Sequence, residues 1–259
     1  MSSNLTVSNL SLVIAALGMV LAIGISTKEK LGLHKDILYS VARAIVQLTV
    51  VGYVLKGVFH VANLWLTLAL SLIIILNASW NSYQRNGKQK RGFWYSFLAI
   101  FCSTTFTIGL LVLSGSIKPI AQQLVPITGM VASNSMVAIG LAFRAMRTQY
   151  QQQEQQVNEM LALGATAAQA SKGILRESIK TAMQPTIDSA KTVGLVALPG
   201  MMSGLIFAGV DPVYAIKYQI MVVFMLLSAT SLGSVIAIYL SYRSYFTERL
   251  QLKVPRYLV

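Results

Sequence analysis

Read for polarity alone, the chain alternates between long apolar runs and short polar connections. Seven runs approach the roughly 20 residues needed to cross a hydrocarbon core: 10–26, 37–59, 64–83, 93–114, 126–143, 187–209 and 215–242. Open strands cannot cross lipid, and the alternation expected of a membrane barrel is missing, so the runs predict helices. The expected fold is all-α and polytopic, with about seven transmembrane helices. They form one membrane domain over 1–259, with a single long connection at about 147–186. Residues 1–9 carry no charge and lack the basic start of a signal peptide, so the first run reads as a retained span.

Composition strengthens this picture. Charged residues make up 11% of the chain and hydrophobic residues 55%, and mean hydropathy is +0.63. Soluble domains carry roughly a quarter charged residues, and this chain has too few to cover a water-facing surface. The net charge of +13 would suggest nucleic acid in a soluble protein. Here the basic residues lie between the runs, so the expected partner is membrane lipid and not nucleic acid.

Their placement also predicts orientation. Lys28, Lys30 and Lys35 follow the first run, Arg85, Lys88, Lys90 and Arg91 the third. Arg144, Arg147, Lys172, Arg176 and Lys180 follow the fifth, and Arg243, Arg249, Lys253 and Arg256 the seventh. The alternate connections hold Lys56, Lys118 and Lys217, one each. Positive-inside logic places the N-terminus outside and the C-terminus in the cytoplasm.

The long connection reads as helix, break, helix. Gly164 is suited to ending a helix in the left-handed region. Thr166 with Gln169 spells a T-x-x-Q capping box that opens the next helix. An apolar stripe follows from Ala167 and Ala170 to Ala182, and Pro185 is expected to stop it. The product is an angled cytoplasmic elbow. On spacing alone, an amphipathic hairpin resting on the bundle is an equal alternative.

The elbow is similar to the EAA loop of ABC importer permeases, where such a stretch docks on the ATPase. Gly164 and Ala165 fill matching places and Glu159 falls near one, although Met160 and Leu161 replace the two alanines. A wider resemblance covers nearly the whole chain. The segments KEKL (28–31), LGAT (163–166), DSAKTVGL (188–195), LPGMMSGL (198–205) and AIKYQIM (215–221) resemble the Fet-type (FetB) ABC permease family. That resemblance implies the membrane half of an exporter in a bacterial plasma membrane, paired with a separate ATPase that holds ATP and Mg. It implies iron efflux; plant relatives link instead to aluminium tolerance, with a nucleotide sugar as proposed cargo. Coupling would fall on Glu159, Gly164, Ala165, Thr166, Gln169 and Ala170. One elbow per chain suggests a permease homodimer.

Polar and soft residues inside the runs are the candidates for a path or gate. Arg43 shares a helical face with Ser40 and Gln47, and Asp188 and Lys191 are spaced to pair locally, while Arg43 is also a candidate to neutralise Asp188. Pro199 predicts a kink or break in the sixth span, where Gly200 and Gly204 form G-x-x-x-G. Asn134 adds an oxygen, and Met130, Met136, Met201 and Met202 offer thioethers for transient metal contact, although adaptable packing is the ordinary account of them. Cys102 stands alone, which excludes an intrachain disulfide. No phosphate-binding P-loop or converging catalytic set is present, so no catalytic residue and no cofactor of its own is expected. An ATP-independent channel or secondary carrier is the alternative of a different class.

Orientation is directly testable. In a Cys102→Ser background, Asn4→Cys should label from outside the cell and Leu250→Cys only from the cytoplasm. Labelling of both from one side would contradict an odd number of crossings.

Overall fold

The computed structural model describes residues 9–60, 63–85, 91–247, 249 and 251–253. Lys88, Lys90 and Arg256 of the charge pattern lie outside them. The described chain is helical: α1 (Asn9–Ala15), α2 (Leu17–Lys28), α3 (His34–His60), α4 (Leu64–Arg85), α5 (Gly92–Leu113), α6 (Ala121–Gln152), α7 (Glu154–Ala162), α8 (Ala167–Thr192), α9 (Gly200–Phe207) and α10 (Pro212–Ser241), closed by a 3-10 turn at Tyr242–Tyr245. Two compact units divide it, Met1–Ala62 and Asn63–Val259. The first holds α1–α3, joined by a turn in which Lys30 and Gly32 take positive φ.

Six segments among the described residues are long and apolar enough to cross a membrane: Leu10–Lys28, His34–Val58, Leu64–Gln84, Gly92–Leu113, Ala121–Gln152 and Pro212–Tyr245. The chain is a multi-pass, all-α membrane protein. The run 187–209 is not the single helix expected. Its first residues end α8, an unwound turn follows at 193–199, and α9 resumes for eight residues. Two residues explain the break. Gly194 takes φ +88, which a helix cannot use, and Pro199 forms the N-cap of α9 instead of kinking a continuous rod. Pro185 does the opposite of what was expected. It lies within α8 and does not stop it. The price is one lost backbone bond, because Pro185 offers no N–H to the Thr181 carbonyl.

In the second unit the bundle is held by small residues at the crossings. Ser96 Oγ donates to Ser82 Oγ at 3.2 Å, Ser103 Oγ to Ser135 Oγ at 3.5 Å, and Thr128 Oγ1 to Ser71 Oγ at 3.4 Å. These bonds join α5 to α4, α5 to α6 and α6 to α4. Apolar partners drive little association in lipid, so close approach and hydrogen bonds supply the adhesion. Around them lie two apolar clusters. One centres on Ile100, Ile139, Phe143, Met146 and Ile238, the other on Leu111, Ile127, Val131 and Met225.

Gly233 marks the tightest crossing. A Cβ there would lie 3.3 Å from Ser103 Oγ and 3.5 Å from Ile139 Cδ1, so α10, α5 and α6 meet over a bare backbone. Gly233→Leu should cost about 1–3 kcal/mol through overpacking. Gly109→Leu, where a Cβ meets nothing within 4 Å, should not. The check is the thermal unfolding midpoint of purified protein; equal midpoints would refute a close-packed crossing.

Candidate functional site

The break at the end of α8 opens onto a cavity of about 340 Å³ within the second unit. Each wall is one face of a helix. Met130, Asn134, Val137, Ala138 and Leu141 come from α6, and Ala182, Pro185, Thr186, Ser189 and Ala190 from α8. Pro199, Gly200 and Met201 come from the start of α9, and Gln219, Val222, Val223 and Leu226 from α10. Steps of three and four residues recur in the rows from α6, α8 and α10, as a helical face requires. No wall side chain is charged.

The unwound turn supplies backbone polarity. Gly194 N–H donates to the Ala197 carbonyl and Leu195 N–H to that of Thr192. A continuing helix would have aimed these donors at the carbonyls of Ala190 and Lys191, which end α8 without them. The first N–H groups of α9 belong to Gly200 and Met201, both on the wall. The cavity therefore meets the negative end of one half-helix and the positive end of another, the arrangement by which transporters bind ions near the membrane midplane.

The structure brings together five of the expected residues: Met130, Asn134, Pro199, Gly200 and Met201. The Asn134 amide nitrogen donates to the Met130 carbonyl at 2.8 Å, so its side-chain oxygen is the end left for other partners. The remaining candidates stand elsewhere. Met136 packs against the larger core cluster, and Met202 sits half-buried on α9 off the wall. At Gly200 and Gly204 a Cβ would meet nothing within 4 Å, so this G-x-x-x-G packs against no other helix among the described residues. Asp188 and Lys191 pair on the exposed side of α8 at 3.1 Å, and Gln184 Nε2 donates to both Asp188 oxygens at 2.9 and 3.0 Å. The Asp188 carboxylate is thus satisfied within its own helix. Arg43 and Gln47 lie on α3 in the first unit, both exposed. Sequence reasoning passed over Gln219, although a lone amide in the apolar run of α10 was the available signal.

At the other end of α8 stands the elbow, built as its sequence predicts. Gly164 takes φ +91; its N–H donates to the Leu161 carbonyl and Ala165 N–H to that of Met160, both at 3.0 Å. This paired closure is a Schellman motif. Thr166 then caps α8: its side chain accepts from Gln169 N–H at 3.3 Å, and Gln169 Oε1 accepts from Thr166 N–H at 2.8 Å. Leu163 projects at the tip, 89% exposed. Glu154, Gln155, Asn158, Glu159 and Ala162 line a shallow groove along α7, with Glu159 taking a hydrogen bond from Gln155 at 2.9 Å. Beneath, buried Tyr150 of α6 donates to Ser171 Oγ of α8 at 2.7 Å and stacks on Tyr245 with ring centroids 4.8 Å apart. The root of the elbow is fixed to the bundle.

Comparison with known proteins follows this architecture along its length. The family model described as "Uncharacterised protein family (UPF0014)" matches residues 9–246. The chain is 54% identical over 250 residues to a protein of Escherichia coli (strain K12) named "Probable iron export permease protein FetB", covering 96% of each. It is 37% identical over 241 residues to "UPF0014 membrane protein STAR2" of Oryza sativa subsp. japonica, covering 92% of this chain and 84% of that one. It is 35% identical over 236 residues to "Protein ALUMINUM SENSITIVE 3" of Arabidopsis thaliana, covering 91% and 86%. No solved structure matches the chain.

A cavity that admits a polar solute should be wet. In a Cys102→Ser background, Ser189→Cys on the wall should react with a membrane-impermeant thiol reagent in vesicles opened to both sides. Phe106→Cys on the outer face of α5, 55% exposed in the native protein, should not. Equal protection of both would mean that the cavity is dry.

Proposed function

The chain belongs to the UPF0014 family, and from that premise we propose that it is the permease subunit of an ABC exporter, moving iron or another metal cation out of the cytoplasm with energy from a separate ATPase chain. The observation that carries this reading is α8. It begins at the capped elbow and ends on the cavity wall, 26 residues later, a reach of about 39 Å at 1.5 Å per residue. A partner that pushes on the elbow moves the cavity wall through one rod, with no loop between. The groove on α7, the projecting Leu163 and the close turn at Gly164 offer that partner a shaped surface. The E. coli relative's name supplies export and iron.

The cavity chemistry supports a cation held briefly. Amide and main-chain oxygens with thioethers bind weakly, and conduction needs weak multi-site binding more than affinity. In this reading the broken α8–α9 segment is the seventh crossing, with the N-terminus outside and the C-terminus in the cytoplasm. Two copies pair, each with one ATPase. One observation favours a second cargo class: the N-terminus of α9 on the wall suits an anionic solute such as a nucleotide sugar.

The reading is tested in vesicles holding the chain with its ATPase. Fe²⁺ should stimulate ATP hydrolysis and leave the cytoplasmic-side compartment; stimulation by a nucleotide sugar alone would replace it with the second cargo. Gly164→Val forces a β-branched side chain into the left-handed region, at about 1–2 kcal/mol of local strain. It should lower transport at least tenfold while the bundle keeps its unfolding midpoint. Undiminished transport by this variant would remove the elbow from coupling.

A further inference from the structure

Gln219 brings an amide side chain from α10 to the cavity wall. It is 6% exposed, and its Oε1 has no hydrogen-bond partner among the described residues. Four other buried side-chain oxygens share that condition, on Ser26, Thr104, Thr107 and Ser234. All four are hydroxyls, which can rotate to donate to a carbonyl of their own helix. An amide oxygen only accepts. Inside α10 every backbone N–H is already committed to the helix, so Oε1 needs a donor or a cation from outside. A buried acceptor left in this state destabilises the resting protein, and such a group persists where a ligand completes it. Gln219 is also the one of the five that lines this cavity.

We infer that Gln219 is a cargo-contacting residue whose side-chain oxygen coordinates a partly dehydrated divalent cation in the cavity. The inference rests on the cation reading above and names the atom it lacked. The surroundings fit the class. Asn134 keeps its nitrogen on the Met130 carbonyl and leaves an oxygen, and Ala190 ends α8 with a carbonyl that no continuing helix covers. The wall carries neither a carboxylate nor an ammonium group. Neutral oxygens can replace a few hydration waters without holding the ion firmly, which suits a site that must load and release in each cycle. A carboxylate in the same place would bind more tightly and release more slowly.

The test uses the full-length chain in detergent, titrated with Fe²⁺ under anaerobic reducing conditions, with the thermal unfolding midpoint as readout. Ligand that binds only the folded state raises the midpoint. Gln219→Leu and Gln219→Ile, neither of which can ligate a metal, should unfold at or above the wild-type midpoint without metal. Both should need at least tenfold more Fe²⁺ for the same rise. Gln219→Glu should respond at a lower Fe²⁺ concentration. A wild-type response unchanged in both apolar variants would overturn this assignment and leave the proposed function standing, as would a loss of metal-free stability with an intact Fe²⁺ response. A wild-type protein that does not respond to Fe²⁺ at all would overturn the cation reading itself, and this assignment with it.

Discussion

Hydrocarbon offers a backbone amide no hydrogen-bond partner, so a chain crossing it must satisfy each N–H and C=O within a helix or against protein. Most of this chain obeys by forming long uninterrupted helices. At 193–199 it does not. Gly194 turns the backbone out of the helix and Pro199 starts another, and the carbonyls left at the end of α8 must face something polar. Irregular backbone inside a bilayer persists where it lines a cavity, and the two ends of this turn, Val193 and Pro199, border one of about 340 Å³. The position of the break determines which helix faces become wall, and the rest of the second unit packs around that requirement.

The same helix that ends at the break begins at the exposed elbow. The elbow is stiff for local reasons: a Schellman closure at Gly164, a capping box at Thr166 and Gln169, and Tyr150 bonded to Ser171 while stacked on Tyr245. Stiffness at the root and continuity along α8 give a displacement at the elbow one place to go. Pro185 is the weak point of that rod, since the missing N–H loosens one turn on the face that borders the cavity. The hydroxyl pairs among α4, α5 and α6 hold these three helices to one another.

Much of this was legible in the sequence, and the failures have physical reasons. Hydropathy located most continuous spans to within a few residues because bilayer thickness sets their length. The span Ala121–Gln152 instead outruns its apolar run 126–143 by five residues at one end and nine at the other. The elbow was legible because capping is local, and Gly164, Thr166 and Gln169 interact across only a few positions. The break in 187–209 was half legible: Pro199 signalled it, but apolar residues on both sides concealed that Gly194 unwinds the chain first. Leu195 and Val196, 91% and 83% exposed, read as span interior because hydropathy cannot separate an exposed apolar turn from a helix. Pro185 was misread as a stop, since its cost is a single bond that a long packed helix absorbs. Which methionines reach the cavity depends on helix rotation, so Met130 and Met201 could not be told from Met136 and Met202 by type. Gln219 and Gly233 draw their meaning from residues on other helices, which no local pattern encodes.

The central claim is that α8 transmits motion as one rod between elbow and cavity. Spin labels at Lys172→Cys and Lys191→Cys, both exposed on α8, are 19 residues apart, or about 28 Å along a straight helix. A third label at Ile216→Cys on α10 reports the distance across to the neighbouring helix. Pulsed dipolar measurements on the complex with its ATPase, before and after ATP is supplied, compare the two spans. A rigid rod predicts that the 172–191 distance stays fixed while the 191–216 distance shifts by several ångströms. A 172–191 distance that shortens, with 191–216 unchanged, would show that α8 bends at Pro185 and that the elbow does not drive the cavity.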